Sequence, residues 1–251
     1  MKWLLIYLYL DLQRVVPAIA LFTLLELAFP RGRGTWRARF RGAVFYAIYF
    51  LFAAAAAISA EAITDRMHIR PLVVTSSLWA VIAYPIVWDF LYYWFHRAQH
   101  AIPGLWRLHS VHHAIRELNA VNAYHHWTEE LFRTLLLLFP LTFLVRITAP
   151  EFAYVNVLLV AAGTLIHTQT AFNLGPLNRI LADNRMHRIH HSLEERHFDR
   201  NFGQTMLWDQ AFGTAYFPRR DEWPAVGLPG RSETQTVADY LLARERPLTK
   251  S

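Results

Sequence analysis

The chain has 251 residues, enough for one domain with a substantial core. With 54% hydrophobic and 15% aromatic residues against 18% charged, it is more apolar than an ordinary water-soluble domain. Cysteine is absent, which excludes a disulfide framework and thiolate metal sites, and the formal charge of +6 beside long apolar runs points to anionic lipid headgroups, since no nucleic-acid-binding motif occurs.

Five apolar segments follow in chain order. Residues 15–29 are apolar apart from Glu26, and "WLLIYLYL" extends them backwards across Asp11, Gln13 and Arg14. No small-residue cleavage site follows a clean apolar core, so this start does not read as a signal peptide. Residues 43–60, "AVFYAIYFLFAAAAAISA", carry no charge and span roughly 27 Å as a helix, close to a hydrocarbon core. Residues 72–95 are long enough to cross with a tilt and carry one charge, Asp89. Residues 131–147 and 152–166, separated by "TAPE", read as a tight helical hairpin that crosses or only dips.

The loop "RGRGTWRARFR", residues 31–41, holds five Arg and is therefore assigned to the cytoplasm. Counting crossings from it puts 61–71 outside and returns the chain to the cytoplasm at His96. A hairpin leaves 167–251 there too, so every His except His68 lies on one face. The fold class expected is all-α: an integral membrane bundle of about four transmembrane segments, or three plus a hairpin, with a cytoplasmic helical cap holding a histidine-rich dimetal site. Residues 1–79 form the N-terminal membrane helices and Arg-rich loop, and 217–251 a soluble tail with a short helix near 234–244, leaving 80–216 between them. The tail carries little functional signal.

Eight of the 13 histidines fall in three tight groups. "HRAQH" holds His96 and His100; "HSVHH" holds His109, His112 and His113; "HRIHH" holds His187, His190 and His191. Residues three and four apart share a helix face, so two imidazoles one turn apart can bind one ion. The third His of each triple widens the site toward a second ion. Imidazole suits Fe, Zn, Cu and Ni, so ligand type does not choose the metal. The number of ligands exceeds what one tetrahedral zinc uses, and suggests two ions in one cage. Asp89, two turns before His96, is read as an acceptor for the outer nitrogen of a ligating ring, with helix–helix polar pairing as the alternative. His167, at the membrane boundary, and one of His125 and His126 are weaker additions on spacing alone. His197 lies in a polar stretch and His68 on the wrong face.

The pattern "DFLYYWFHRAQH … HSVHH … HHWTEE … HRIHH … NFGQTMLWDQAFGT" resembles the fatty acid hydroxylase superfamily, also called the sterol desaturase family, over roughly residues 80–216. The resemblance rests on three histidine boxes in order and on the closing signature Asn201, Phe202, Gly203, Trp208, Asp209, Phe212, Gly213 and Thr214. It implies that His96, His100, His109, His112, His113, His187, His190 and His191 are dimetal ligands. The family's Arg-x-His-Pro-x-Glu element is altered here: Tyr124 and Trp127 replace its Arg and Pro, while His126 and Glu129 keep their places. That favours His126 over His125, and a family histidine at the end of the hairpin raises His167. Glu129, Asn201, Trp208 and Asp209 are expected to support the ligands, and no separate acid or base is assigned.

The family implication is a membrane-embedded non-haem diiron oxygenase with two Fe and O2 as co-substrate. Zinc has no redox chemistry and could hydrolyse but not oxygenate. Removal of hydrogen from an unactivated C–H bond of a sterol, fatty acyl or related lipid, followed by hydroxyl return, gives an alcohol. A second hydrogen removal gives an alkene, so a desaturase is the alternative within enzymes. No flavin, haem or ferredoxin module is present in the sequence, so electrons are expected from a separate reductase or carrier. A membrane metal transporter or sensor would need polar residues across the bilayer, and 43–60 offers none. No oligomeric state is read from the sequence.

Overall fold

The computed structural model describes residues 2–32, 34–67, 72–74, 77–138, 145–147 and 152–248. Helix α1, Lys2–Ala28, runs unbroken through Asp11, Gln13 and Arg14 and past Pro17, whose missing amide removes one helical hydrogen bond. Helix α2, Trp36–Arg66, contains the uncharged stretch. Its 25 residues Trp36–Ala60 are long and apolar enough to cross a membrane, and only 11% of the most apolar window is buried, unlike a soluble core helix. Among the described residues it is the one helix that meets both criteria. Of the four or so spans expected, α2 is therefore the one that length and composition alone establish.

The fold is helical as expected, with one small departure in the segments 72–95 and 131–147. Leu72–Val74 (β1) pairs in parallel with Val145–Ile147 (β2), Val73 opposite Arg146. β-Branched residues favour extended backbone, and the ladder pairs their amides and carbonyls. Helix α3, Ser77–Ala101, starts after β1. The expected hairpin begins as α5, Trp127–Arg133, passes directly into a π-helix over Thr134–Leu138, and ends in α6, Phe152–Leu165. Residues 139–144 and 148–151 of that hairpin, and His68, lie outside the described residues.

Helix α1 packs on α6 and α2, α2 on α5, and α3 on α6 and on α4, Pro103–His113. Pro103 suits the first turn of α4, where its missing amide has no helical partner anyway. Helix α7, Asn184–His190, starts at Asp183, whose Oδ1 accepts the amides of Arg185 and Met186. Helices α8, Met206–Ala211, and α9, Val237–Leu241, begin on Thr205 and Thr236 caps. Helix α9 is the short helix expected near 234–244.

A buried cluster of Phe45, Val111, Ile115, Leu118, Tyr124 and Tyr240 joins α2, α4 and the C-terminal segment. Gly42 permits the approach of α2 to the loop after α4: a Cβ there would meet the Val121 carbonyl oxygen at 2.3 Å. The C-terminal segment is strapped onto this core. Tyr240 stacks on Phe45 at 4.5 Å, and its hydroxyl donates to the His125 carbonyl at 2.8 Å. Glu233 pairs with Arg41 at 2.6 Å and accepts from Asn122. The segment thus supports the loop that carries His125, a role the tail's composition did not signal.

Candidate metal centre

The histidine triples close α4 and α7, where the i, i+3, i+4 spacing turns their rings to one side. His96 and His100 occupy the last turns of α3. Packing of these helices sorts nine rings into two groups whose nitrogens lie within 4.8 Å of one another. The first holds His96, His100, His109, His113 and His190; the second holds His112, His167, His187 and His191. In the first, His109 Nε2 lies 3.0 Å from His96 Nε2 and 3.1 Å from His113 Nε2, and His190 Nε2 lies 3.1 Å from His96 Nε2. In the second, His167 Nε2 lies 2.9 Å from His187 Nε2 and 3.3 Å from His112 Nε2. The groups sit back to back, with the His113 and His191 rings stacked at 4.3 Å.

The outer nitrogens decide what the inner ones can do. His96 Nδ1 lies 2.7 Å from the Phe202 carbonyl, His190 Nδ1 2.8 Å from Arg200, His112 Nδ1 3.0 Å from Tyr124 and His167 Nδ1 2.7 Å from Gly163. A carbonyl only accepts, so the proton sits on Nδ1 and Nε2 carries a bare lone pair. His96 and His190 then face each other with two unprotonated nitrogens, as do His112 and His167. Such pairs repel unless a cation lies between them. The donor set therefore fits a metal ion in each group, with the outer hydrogen bonds that ligating histidines usually make.

Burial drives every ring of both groups toward the neutral form that a metal needs, lowering His96 to about 3 and His167 to about 4. The consequence is measurable in the metal-free protein. Below the ordinary histidine value near 6.5, the unfolded chain takes up protons that the folded rings refuse. Stability is thus present above pH 6.5 and is lost as the pH falls, by up to about 1.4 kcal/mol per pH unit for each ring that stays neutral. Thermal midpoints of the metal-free protein in detergent should change little between pH 7.5 and 6.5 and fall clearly between 6.5 and 5.5; a flat profile would contradict the buried neutral cage.

The profile of the family described as "Fatty acid hydroxylase" matches residues 81–214, a stretch that holds all nine of these histidines. The chain belongs to the fatty acid hydroxylase family. Among curated relatives, an ornithine lipid hydroxylase, OlsE, from Rhizobium tropici is 29% identical over 58% of this chain and 44% of its own length. The alkylglycerol monooxygenase of Homo sapiens is 32% identical over 56% of this chain and 31% of its own, and that of Danio rerio is 33% identical over 53% and 30%. The chain thus spans less than half the length of these relatives. No solved structure matches it.

Around this family centre, the supporting residues act in ways spacing did not show. Glu129 Oε2 lies 3.0 Å from His109 Nδ1 and accepts from Gln99 Nε2 at 2.6 Å, so Glu129 orients a ring of the first group directly. Burial pushes its carboxyl up to about 8, opposed by the Gln99 hydrogen bond. Asp89 hydrogen-bonds to no histidine among the described residues. Its oxygens accept the backbone amides of Gln204 at 2.8 Å and Thr205 at 3.1 Å. Asp209 accepts the amides of Phe202 at 2.9 Å and Gly203 at 2.8 Å, and the Thr214 hydroxyl. Two aspartates thus hold four consecutive amides of the loop whose carbonyls orient His96 and His190. The expected Asp89 contact to a ring is replaced by this indirect one, because the Gln204 and Thr205 amides take up its carboxylate. Asn201 donates to the Met186 and Tyr216 carbonyls and adopts a left-handed φ of 57°, tying α7 to the segment after α8. Trp208 packs edge-on against Phe90 at 4.7 Å, away from the rings.

His126 lies outside both groups. It caps α5, its side chain accepting the Thr128 amide while the Glu129 side chain accepts the His126 amide, a capping box. His125 is the neighbour brought to the cage: its ring stacks on His112 at 3.8 Å, and a ring nitrogen lies within 4.8 Å of donors on His109 and Glu129. Glu129 stands at capping-box spacing from His126, but histidine is not a usual cap residue, so the cap is seen only in the fold, where it points away from the metal reading of His126. Sequence reasoning also passed over Asp199, whose Oδ1 is 3.5 Å from His100 Nδ1. His197 is buried between the Ser192 hydroxyl and Glu222, apart from the cage. His126→Ala is expected to cost about 1 kcal/mol through the lost cap and to leave metal content unchanged. Metal analysis beside a thermal melt checks this, and metal loss would return His126 to the ligand set.

Proposed function

We propose that this protein is an O2-dependent lipid hydroxylase whose two histidine groups each hold one iron ion. The observation that carries the reading is the pairing of bare Nε2 atoms, His96 with His190 and His112 with His167, enforced by backbone carbonyls on the far side of each ring. Two iron ions supply O2 activation and removal of hydrogen from an unactivated C–H bond when bound. His96, His100, His109, His113 and His190 hold one ion; His112, His167, His187 and His191 hold the other. Glu129 and the Asp89–Asp209 clasp keep the rings aimed, and the buried setting excludes water from them.

The relatives' names, hydroxylase and monooxygenase, favour hydroxylation over desaturation. Exposed apolar residues on α1, α3 and α6, such as Leu24, Ile82, Val87, Tyr154 and Leu158, support further membrane contact beside α2. We read the chain as multi-pass, with the cage on the cytoplasmic face and the lipid entering sideways beneath it. Electrons come from a separate carrier. Metal analysis of purified protein, together with a whole-cell lipid comparison of deletion against wild type under O2, tests the proposal. The expected result is two irons per chain and a missing hydroxylated lipid in the deletion strain; an unchanged lipid profile with zinc in both sites would overturn it.

A further inference from the structure

Outside the metal centre, the described surface carries an apolar patch that the proposed chemistry does not use. After α6 the chain bonds to the end of α1, the Arg31 amide donating to the Gln169 carbonyl at 3.0 Å and the Ala171 amide to the Phe29 carbonyl at 2.7 Å. Leu174 then packs against the buried cluster of Ala18, Phe22 and Leu165, so the 3-10 turn Gly175–Arg179 starts level with the last turns of α1 and α6. Leu177 of this turn is 59% exposed, and Ile180 and Leu181 after it are exposed as well. Helix α8 lies alongside: the Met206 amide donates to the Ile180 carbonyl at 2.8 Å, and Gln210 Nε2 to the Arg179 carbonyl at 2.9 Å. It adds the exposed Leu207 and, just beyond its end, Phe212.

Contiguous exposed apolar surface marks a site of interaction with protein or membrane. Two observations favour the membrane. The first is continuity with α3. The Phe212 ring meets Trp94 at 4.9 Å and Phe90 at 6.4 Å. Trp94 continues Ile82, Ile86 and Phe90 at four-residue spacing, which is one helix face, and Ile82, Ile86 and Trp94 are exposed. The stripe of α3 that meets lipid in the multi-pass reading thus runs directly into the patch. The second observation is the rim. The Arg97 guanidinium stands over Trp94 at 5.5 Å, and that of the exposed Arg179 over Phe217 at 4.7 Å. Aromatic rings and arginines at an apolar edge suit the headgroup level, where the arginine stem covers apolar surface and its charge meets anionic lipid. The inner face of α8 is committed elsewhere, since Met206 is buried and Asp209 grips the Phe202 amide.

We propose that the turn Gly175–Arg179, Ile180, Leu181 and α8 form a platform that rests in the headgroup–acyl boundary of the bilayer, with Leu177, Ile180 and Leu207 turned into the lipid. Surface elements of this kind bury their apolar side about 5–10 Å deep without crossing. The metal centre is then flanked by lipid along α3 and also along a segment that does not span. The four amides of Phe202–Thr205, held by Asp89 and Asp209, join the platform to α3. This assignment rests on the reading that α3 lies in the membrane, and its test separates the two.

The chain has no cysteine, so one introduced thiol takes one nitroxide label. Full-length Leu177→Cys, Leu207→Cys, Ile82→Cys and Arg244→Cys are labelled and reconstituted in liposomes of phosphatidylcholine and phosphatidylglycerol. Collisions of each label with oxygen, which concentrates in the bilayer, are compared with collisions with a water-soluble nickel chelate. The oxygen-to-nickel ratio at Leu177 and Leu207 should approach that at Ile82 and exceed, several-fold, that at Arg244, which is exposed on the C-terminal segment. Ile180→Cys takes the place of Leu177→Cys if that variant fails to fold. Water-like ratios at Leu177 and Leu207 beside a lipid-like ratio at Ile82 overturn the platform and leave α3 in the membrane. A water-like ratio at Ile82 beside lipid-like ratios at Leu177 and Leu207 sinks the reading of α3 and leaves the platform standing. Broadening between Leu177 labels that vanishes on dilution with unlabelled protein overturns lipid as the occupant and assigns the patch to a second copy of the chain.

Discussion

On the proposed reading, alanine at His109 or at His187 is expected to leave the chain in the membrane while removing metal from the affected group and lipid hydroxylation with it. His109 stands at the centre of the first group, with Nε2 about equally close to His96 and His113 at 3.0 and 3.1 Å. It is also the ring that Glu129 orients, so its removal takes away a ligand and one partner of a buried carboxyl, which keeps Gln99 and the His126 amide. His187 holds the same central place in the second group, 2.9 Å from His167 and 3.1 Å from His191. Losing an outer partner of a metal ligand already costs roughly 10- to 100-fold, so losing the ligand itself should cost at least about 100-fold in activity. Neither ring adds apolar surface to α1, α2 or α6, so membrane insertion persists. Metal analysis and lipid turnover on membranes matched for protein content decide the matter. Hydroxylation retained in both variants would end the metal-cage reading.

The second large effect is expected from Asp209→Ala. It removes the acceptor for two backbone amides, Phe202 and Gly203, and for the Thr214 hydroxyl, all in a buried setting. Each stranded donor costs about 1–3 kcal/mol, so the variant should lose about 3 kcal/mol or more. The loop would also release the Phe202 carbonyl that fixes His96, so iron occupancy of the first group should fall with stability. Asp209→Asn keeps one accepting oxygen and should fall between. A thermal melt with parallel metal analysis checks both readouts. Stability lost with full iron occupancy would show that Asp209 holds the loop without aiming the ring.

The parts of the site that were legible in the sequence were those governed by short spacing. The i, i+3, i+4 triples placed His109, His112 and His113 on one face of α4, and His187, His190 and His191 on one face at the end of α7. The uncharged stretch of 18 residues found the membrane-length helix. What spacing could not show was the choice between His125 and His126, because adjacent residues point apart and only the start of α5 decides which one caps it. Nor could it show that Asp89 grips a backbone loop 115 residues away instead of a ring. The strand pair and the π-helix were equally hidden, since both arise where apolar sequence alone would continue an α-helix.

Composition and local pattern by themselves determined that this is an apolar, helical chain whose metal donors are nitrogen or oxygen, since cysteine is absent, with histidines recurring at helical spacing as the leading candidates. Only the tertiary structure decided how nine rings divide into a five and a four. The reason is physical. A helix fixes which of its own residues share a face, within one or two turns. Which faces meet depends on packing between distant segments, and the contact of His96 with His190 joins residues 94 positions apart. The same packing commits the outer nitrogens of His96, His190, His112 and His167 to carbonyls, and that commitment aims a pair of bare lone pairs inward in each group.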